Sequence, residues 1–159
     1  MSRILKGIQD VFSAFGATFV AFAFRVKKTG VTLSPSTTAD DPSNAIVLAE
    51  MEHTWTPSKA ENKYQGFFQG NFQNIEKKAS DGTVSAAWFI DDVLQPETVA
   101  TAYLGEPPYS QQLTCWLDLD AQTLAEHDAD IRVWGSEGDE IECPDTQRLM
   151  IFREVETAS

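Results

Sequence analysis

The stretch KYQGFFQGNFQNIEKKASDGTVSAAWFI, residues 63–90, constrains the fold more than any other part of the chain. Tyr64, Gly66, Phe68, Gly70 and Phe72 fall on alternate positions, with Gln65, Gln69, Asn71 and Gln73 between them. A period of two places the three aromatic rings on one face of a β-strand and the amides on the other. Asp81-Gly82 supplies the pair that a tight hairpin turn favours, and the β-prone run Thr83 to Ile90 follows. Pairing outward from that turn sets Ile75 opposite Trp88 and Asn74 opposite Phe89. Gly66 and Gly70 predict bending, because glycine weakens a flat strand and permits a bulge.

The remaining segments add strands and little else. Ile4, Leu5, Ile8, Val11, Phe12 and Phe15 recur at helical spacing, which predicts a helix over about 3–15 ended by Gly16. From Thr18 the period becomes two and predicts a strand over about 18–28. Residues 29–44 read as a long turn-rich loop. Ala45 to Thr56 follows as a strand, with Val47, Ala49, Met51, His53 and Trp55 on one face. Pro96 opens a short helix that Gly105 ends. Gln111 to Leu119 alternates again, with Leu113, Cys115, Leu117 and Leu119 aligned, and Asp120 caps a helical turn reaching about His127. Ile131 to Trp134 and Glu140 to Cys143 flank a hairpin loop, and Gln147 to Val155 is the closing strand.

Strands in near-continuous succession, without long helices between them, predict a mainly β (α+β) fold with antiparallel pairing. The expected architecture is one strongly curved sheet or barrel with the N-terminal helix packed against it. A two-sheet β-sandwich is the alternative. The 159 residues fit a single domain, 1–159, and no repeat or linker divides them.

Residues 1–28 carry two rival readings. A basic start, an apolar middle and Ala21-Phe22-Ala23 resemble a signal peptide, although Gln9 and Asp10 interrupt it. Membrane contact is the other; the uncharged run from Val11 to Phe24 falls short of the roughly 20 residues a spanning helix needs. The soluble helix and strand are preferred. This favours a cytoplasmic or virion setting, with export as the alternative.

Charge narrows the partners. The formal net charge of −12 argues against nonspecific nucleic-acid binding, which needs a basic footprint to displace counterions. Its distribution is polar. Residues 1–39 hold Arg3, Lys6, Arg25, Lys27 and Lys28 against Asp10, whereas residues 118–145 hold ten carboxylates against Arg132. Opposite poles permit head-to-tail self-association or docking of a protein partner. Asp128, Asp130, Asp139 and Glu140 are the candidate acidic partner surface, and mimicry of nucleic acid is the third use of such a surface.

Motifs for chemistry are sparse. There is no G-x-S-x-G, P-loop, G-x-G-x-x-G or H-E-x-x-H, so no catalytic residue is assigned and an enzyme is disfavoured. His53 and His127 lie in no metal-ligand spacing, and no metal or other cofactor is called for. Asp118/Asp120 and Asp128/Asp130 could each offer two oxygens to Ca²⁺, but no complete Ca²⁺ loop surrounds them. His127, amid Glu126 and Asp128, is expected to be exposed with a raised pKa. Cys115 and Cys143 read as buried thiols, or as a disulfide if the domain is exported. Trp55, Trp88, Trp116 and Trp134 each fall on an expected strand, where they pack a core or form an aromatic binding surface. The candidate ligand pocket is Tyr64, Phe68, Trp88 and His53. The first functional expectation is a non-catalytic protein acting through assembly or partner binding, such as an oligomeric or virion-like subunit. The second is a small-ligand-binding or enzymatic domain built around that pocket.

Overall fold

The computed structural model describes residues 19–27, 31–33, 41–76, 82–104, 110–135, 140–143 and 148–156. They form β1 (Phe19–Lys27), β2 (Val31–Leu33), β3 (Ile46–Trp55), β4 (Lys63–Glu76), β5 (Gly82–Ile90) and β6 (Val93–Leu94). They continue as β7 (Ala100–Leu104), β8 (Ser110–Leu119), β9 (His127–Gly135), β10 (Glu140–Cys143) and β11 (Arg148–Val155). The expected helix over 3–15 lies outside the described residues, as does most of the segment behind the signal-peptide and membrane readings. Among the described residues no helix is long and apolar enough to cross a membrane.

The strands pair antiparallel in two sheets. In the first sheet β4 is central. It pairs with β8 along one edge, and with β11 and then β10 along the other. Beyond them β1 flanks β11 and β2 flanks β10. In the second sheet β5 lies between β9 on one side and β6 and β7 on the other, and β3 flanks β9. The mainly β, antiparallel expectation holds. The single curved sheet or barrel does not; the two-sheet alternative fits.

The core explains why. The inner face of β4 presents Tyr64, Phe68 and Phe72, all fully buried, to the opposite sheet. Gly66 lies on that face, and Trp88 of β5 crosses the core to fill the space above it. A Cβ built on Gly66 would stand 2.6 Å from Trp88 Cζ2. The Trp88 indole N–H reaches the Cys115 carbonyl at 3.3 Å. The glycine therefore serves close packing between sheets, where a bend was expected.

That packing corrects the hairpin reading. Trp88 faces β4 across the core and does not flank it, so Asn74 pairs with Ile141 while Trp88 pairs with Ile131 and Phe89 with Asp130 and Leu94. The same correction applies later. β9 belongs to the second sheet and β10 to the first, so Ile131 to Trp134 and Glu140 to Cys143 do not pair. A strand with one aromatic face is best covered by another sheet, and both connections cross between layers to achieve it.

Four local expectations also change. Pro96 opens only a 3-10 turn, Pro96–Thr98, before β7 extends. No helix follows Asp120; residues 120–126 are irregular. Within β3 the alternation breaks, because Val47 faces Arg132 and the next paired residue, Glu52, faces Asp130. Glu50 takes a left-handed φ of 67°, and Leu48 joins Met51 in the core. A bulge restores the inward phase of Met51, His53 and Trp55. The long loop over 29–44 contains β2 and a 3-10 turn at Pro42–Asn44, capped by the Asp41 carboxylate.

A buried carboxylate fastens the β3–β4 connection to the last strand. Glu154 is 2% exposed. It accepts from the Ser58 backbone N–H and hydroxyl, each at 2.8 Å, from Asn62 Nδ2 at 2.7 Å and from Tyr64 Oη at 3.3 Å. Burial pushes its pKa up, but the donors together hold it below the usual carboxylate value. Burial also pushes the Tyr64 phenol up to about 12.

Candidate functional site

Among the described residues the outer face of the first sheet carries an apolar row that opens to solvent at Trp116. Phe67 on β4 stands in register with Trp116 on β8 and with Ile151 on β11. The Phe67 and Trp116 rings are 4.6 Å apart and inclined at 59°. Trp116 is 68% exposed. The neighbouring row is polar, with Gln65 between Asp118 and Arg153. The Arg153 guanidinium donates to Gln65 Oε1, and partial burial lowers its pKa. Glu97, from the 3-10 turn at the sheet edge, completes the lining of a trough of about 610 Å³.

The second sheet carries a charged cleft of about 300 Å³ on its outer side. It forms around Asp91-Asp92, the two-residue connection from β5 to β6. Both residues have left-handed φ, 49° and 64°. These values suit a tight hairpin turn, for which Asp-Gly or Asn-Gly would be the ordinary choice. Each aspartate is held by a basic side chain. Asp91 Oδ2 lies 2.6 Å from His127 Nδ1, and Asp91 Oδ1 accepts from the Asp128 N–H at 2.9 Å. Asp92 accepts from Arg132 Nη2.

Arg132 also clasps both oxygens of Asp130, at 2.7 and 2.9 Å, and lies 4.5 Å from the Phe89 ring centre. These carboxylates, Asp130 first, raise its pKa further. The Thr54 hydroxyl donates to Asp128 at 2.6 Å. His127 is buried, contrary to expectation, and its ring packs on Trp55. Its Nε2 lies 3.1 Å from both the carbonyl and the hydroxyl of Thr123, while Nδ1 faces a carboxylate. The hydrogen bond to Asp91 is the largest cause of its raised pKa.

The expected pocket residues do not converge on one cavity. Tyr64, Phe68 and Trp88 are packed in the core, whereas the half-buried His53 ring lies 5.4 Å from Phe152, tilted at 52°, and lines the charged cleft. The acidic surface is likewise divided. Asp128 is exposed and Asp130 is buried against Arg132. Asp139 lies outside the described residues, and only the backbone of Glu140 is described. Among the described residues no three His, Cys, Asp or Glu side chains are placed to hold a metal ion. Asp120 pairs with Lys63 at 2.8 Å. Cys115 is a free buried thiol, pushed up to about 12 by burial.

Sequence offers Trp116 for a core or an aromatic binding surface but not its row with Phe67 and Ile151, although a signal exists. Phe67 interrupts the amide phase of β4, and Trp116 sits on the polar phase between Cys115 and Leu117. An aromatic on the solvent phase of an alternating strand is the pattern to look for.

No protein-family model and no curated protein sequence matches the chain. Among solved structures it is similar to the EclA C-terminal domain, a sugar-binding protein, at 15% identity and a TM-score of 0.40, over 79% of this chain and 78% of that one. It is also similar to dimeric latent PorU from Porphyromonas gingivalis, at 7% identity and a TM-score of 0.38, over 87% of this chain and 14% of that one. A third similarity is to a chain of the full Israeli acute paralysis virus particle, at 11% identity and a TM-score of 0.25, over 100% and 76%. At these TM-scores none of the three carries an argument about this chain.

Proposed function

We propose that this chain is a non-catalytic binding module whose partner sits on the outer face of the first sheet. One observation carries the reading: Trp116 is 68% exposed and stands in a row with Phe67 and Ile151 across three adjacent strands. Single exposed apolar residues are ordinary on protein surfaces, but a contiguous row bordered by polar groups is the mark of an interaction site. Partner binding is also the first expectation from sequence, and the exposed indole beside polar groups supports it.

Association between copies of the chain is the second reading. The opposition between the basic residues 1–39 and the acidic residues 118–145 favours it.

The test compares wild type with Trp116→Ala and Phe67→Ala/Trp116→Ala. Val93→Ala, at a 62%-exposed position on the other sheet, is the control. Sedimentation over a range of salt concentrations reads self-association, and peptide and glycan arrays read other partners. The expected result is a signal lost on changing Trp116 and kept in the control. A wild type that stays monomeric and binds nothing, or a signal indifferent to Trp116, overturns the reading.

A further inference from the structure

Building on the binding-module reading, we infer that the trough on the first sheet takes a neutral carbohydrate, with a sugar ring seated on Trp116. The volume, about 610 Å³, is that of a small-ligand site. A protein interface would need roughly 800 Å² and about 20–30 residues on each partner, whereas nine residues line the trough. Nucleic acid is opposed by Asp118 and Glu97 at the rim and by the net charge of −12. A purely apolar ligand would leave the polar row unused.

A pyranose matches both halves of the trough. One face of the ring presents only C–H groups, which pack on the flat, exposed indole of Trp116 and against the inclined ring of Phe67, 4.6 Å away. Its rim presents hydroxyls that both donate and accept. The groups beside the aromatics are planar and two-pronged: the Gln65 amide, the Asp118 carboxylate and the Arg153 guanidinium. Such groups pair with vicinal hydroxyls, as carboxylates and guanidinium groups pair bidentately elsewhere. The contact between Arg153 and Gln65 holds two of these planes in place before a ligand arrives. Two rim carboxylates, Asp118 and Glu97, against one guanidinium disfavour sugars that carry a carboxylate or sulfate. The selection is therefore for neutral hexose units.

The experiment uses the full chain and a panel of neutral glucans, mannans and galactans beside uronate-containing and sialylated glycans. Calorimetry and tryptophan fluorescence are the readouts. Binding of a neutral glycan with a change in tryptophan emission is expected. Trp116→Ala should weaken it about ten-fold or more, as loss of a central aromatic anchor does, while leaving the thermal midpoint in place. Trp116→Phe should recover part of the loss, and Asp118→Asn should weaken neutral glycans while relaxing rejection of acidic ones. No binding to any neutral glycan, or binding that Trp116→Ala does not change, overturns the inference. If self-association or peptide binding depends on Trp116 while glycans do not bind, the carbohydrate inference fails and the binding module stands. If nothing depends on Trp116, both fail.

Discussion

The outer faces of the two sheets solve the same problem in opposite ways. On the second sheet each of these carboxylates has a partner: Asp91 has His127, Asp92 and Asp130 have Arg132, and Asp128 has the Thr54 hydroxyl. The Arg132 guanidinium also covers Phe89. On the first sheet an aromatic row stays open to solvent beside polar groups that border it. A charged cleft therefore does not by itself advertise a ligand site, because its charges are engaged in holding a turn. The quieter face keeps an exposed aromatic side chain instead. Four substitutions can break or sharpen this contrast.

The largest effect is expected from Arg132→Met. It leaves the buried Asp130 carboxylate without its clasp and releases Asp92 from the turn. A loss of about 3 kcal/mol of unfolding free energy is expected, at the lower end for a broken buried pair because Asp92 is exposed. Urea denaturation measures it. A loss under about 0.5 kcal/mol, the range of ordinary surface substitutions, would mean that the second face is not self-engaged.

Gly66→Ala comes next. Its methyl group would meet the Trp88 ring beneath the aromatic row, so a cost of about 2 kcal/mol is expected from overpacking. Near-UV circular dichroism should report displacement of the indole. An unchanged spectrum and midpoint would show that β4 can yield, and that the first face is not rigidly backed.

Protonation of His127 gives a smaller and directional effect. Its folded pKa is raised above the usual value of about 6.5. The stabilisation is therefore fully present below about pH 6.5 and is lost as pH rises through the folded pKa. Asp91 runs the other way. Burial opposes its ionisation, but the bonds to His127 and the Asp128 N–H outweigh burial and hold its pKa low. Its contribution is present above the ordinary carboxylate pKa and fades as pH falls through the lowered value. Urea midpoints measured from pH 6 upward should fall in wild type, and His127→Gln should flatten that fall. A slope that survives His127→Gln places the titrating group elsewhere.

The smallest effect on stability belongs to Trp116→Ala, within about 0.5 kcal/mol for an exposed position. Its effect on binding should be the largest of the four. A strong destabilisation would turn Trp116 from a recognition residue into a structural one and dissolve the comparison.

Sequence made the strands legible but not their partners. The period of two located β1, β3, β4, β8 and β11 to within a few residues, and it put Tyr64, Phe68 and Phe72 on the buried face. Periodicity reports which side of a strand is apolar, however, and says nothing of whether the next strand lies beside it or across the core. Asp81-Gly82 therefore read as a hairpin, while the hairpin between β5 and β6 turns on Asp91-Asp92. Two aspartates accept left-handed backbone there because His127 and Arg132 come from another strand to hold them. The bulge in β3 was hidden for a related reason, since Val47, Leu48 and Ala49 are all apolar and no polar residue marks the change of phase. At the candidate site the clue was local and available. Phe67 and Trp116 stand out of phase with their own strands.

The place of β11 has a consequence for how the molecule comes into being. In the first sheet β11 is the bridge between β1 and β4, and among the described residues it is the strand to which β1 pairs. Phe19 meets Val155, close to the full span of the chain apart in sequence. Synthesis thus delivers β1 long before its neighbour, and the aromatic face of β4 waits beside a gap of one strand's width. Loop closure over such distances is slow, and an open strand edge is a template for other chains in the meantime. Residues 148–155 act as a keystone: a chain cut short before them leaves β1 without the strand it pairs with among the described residues.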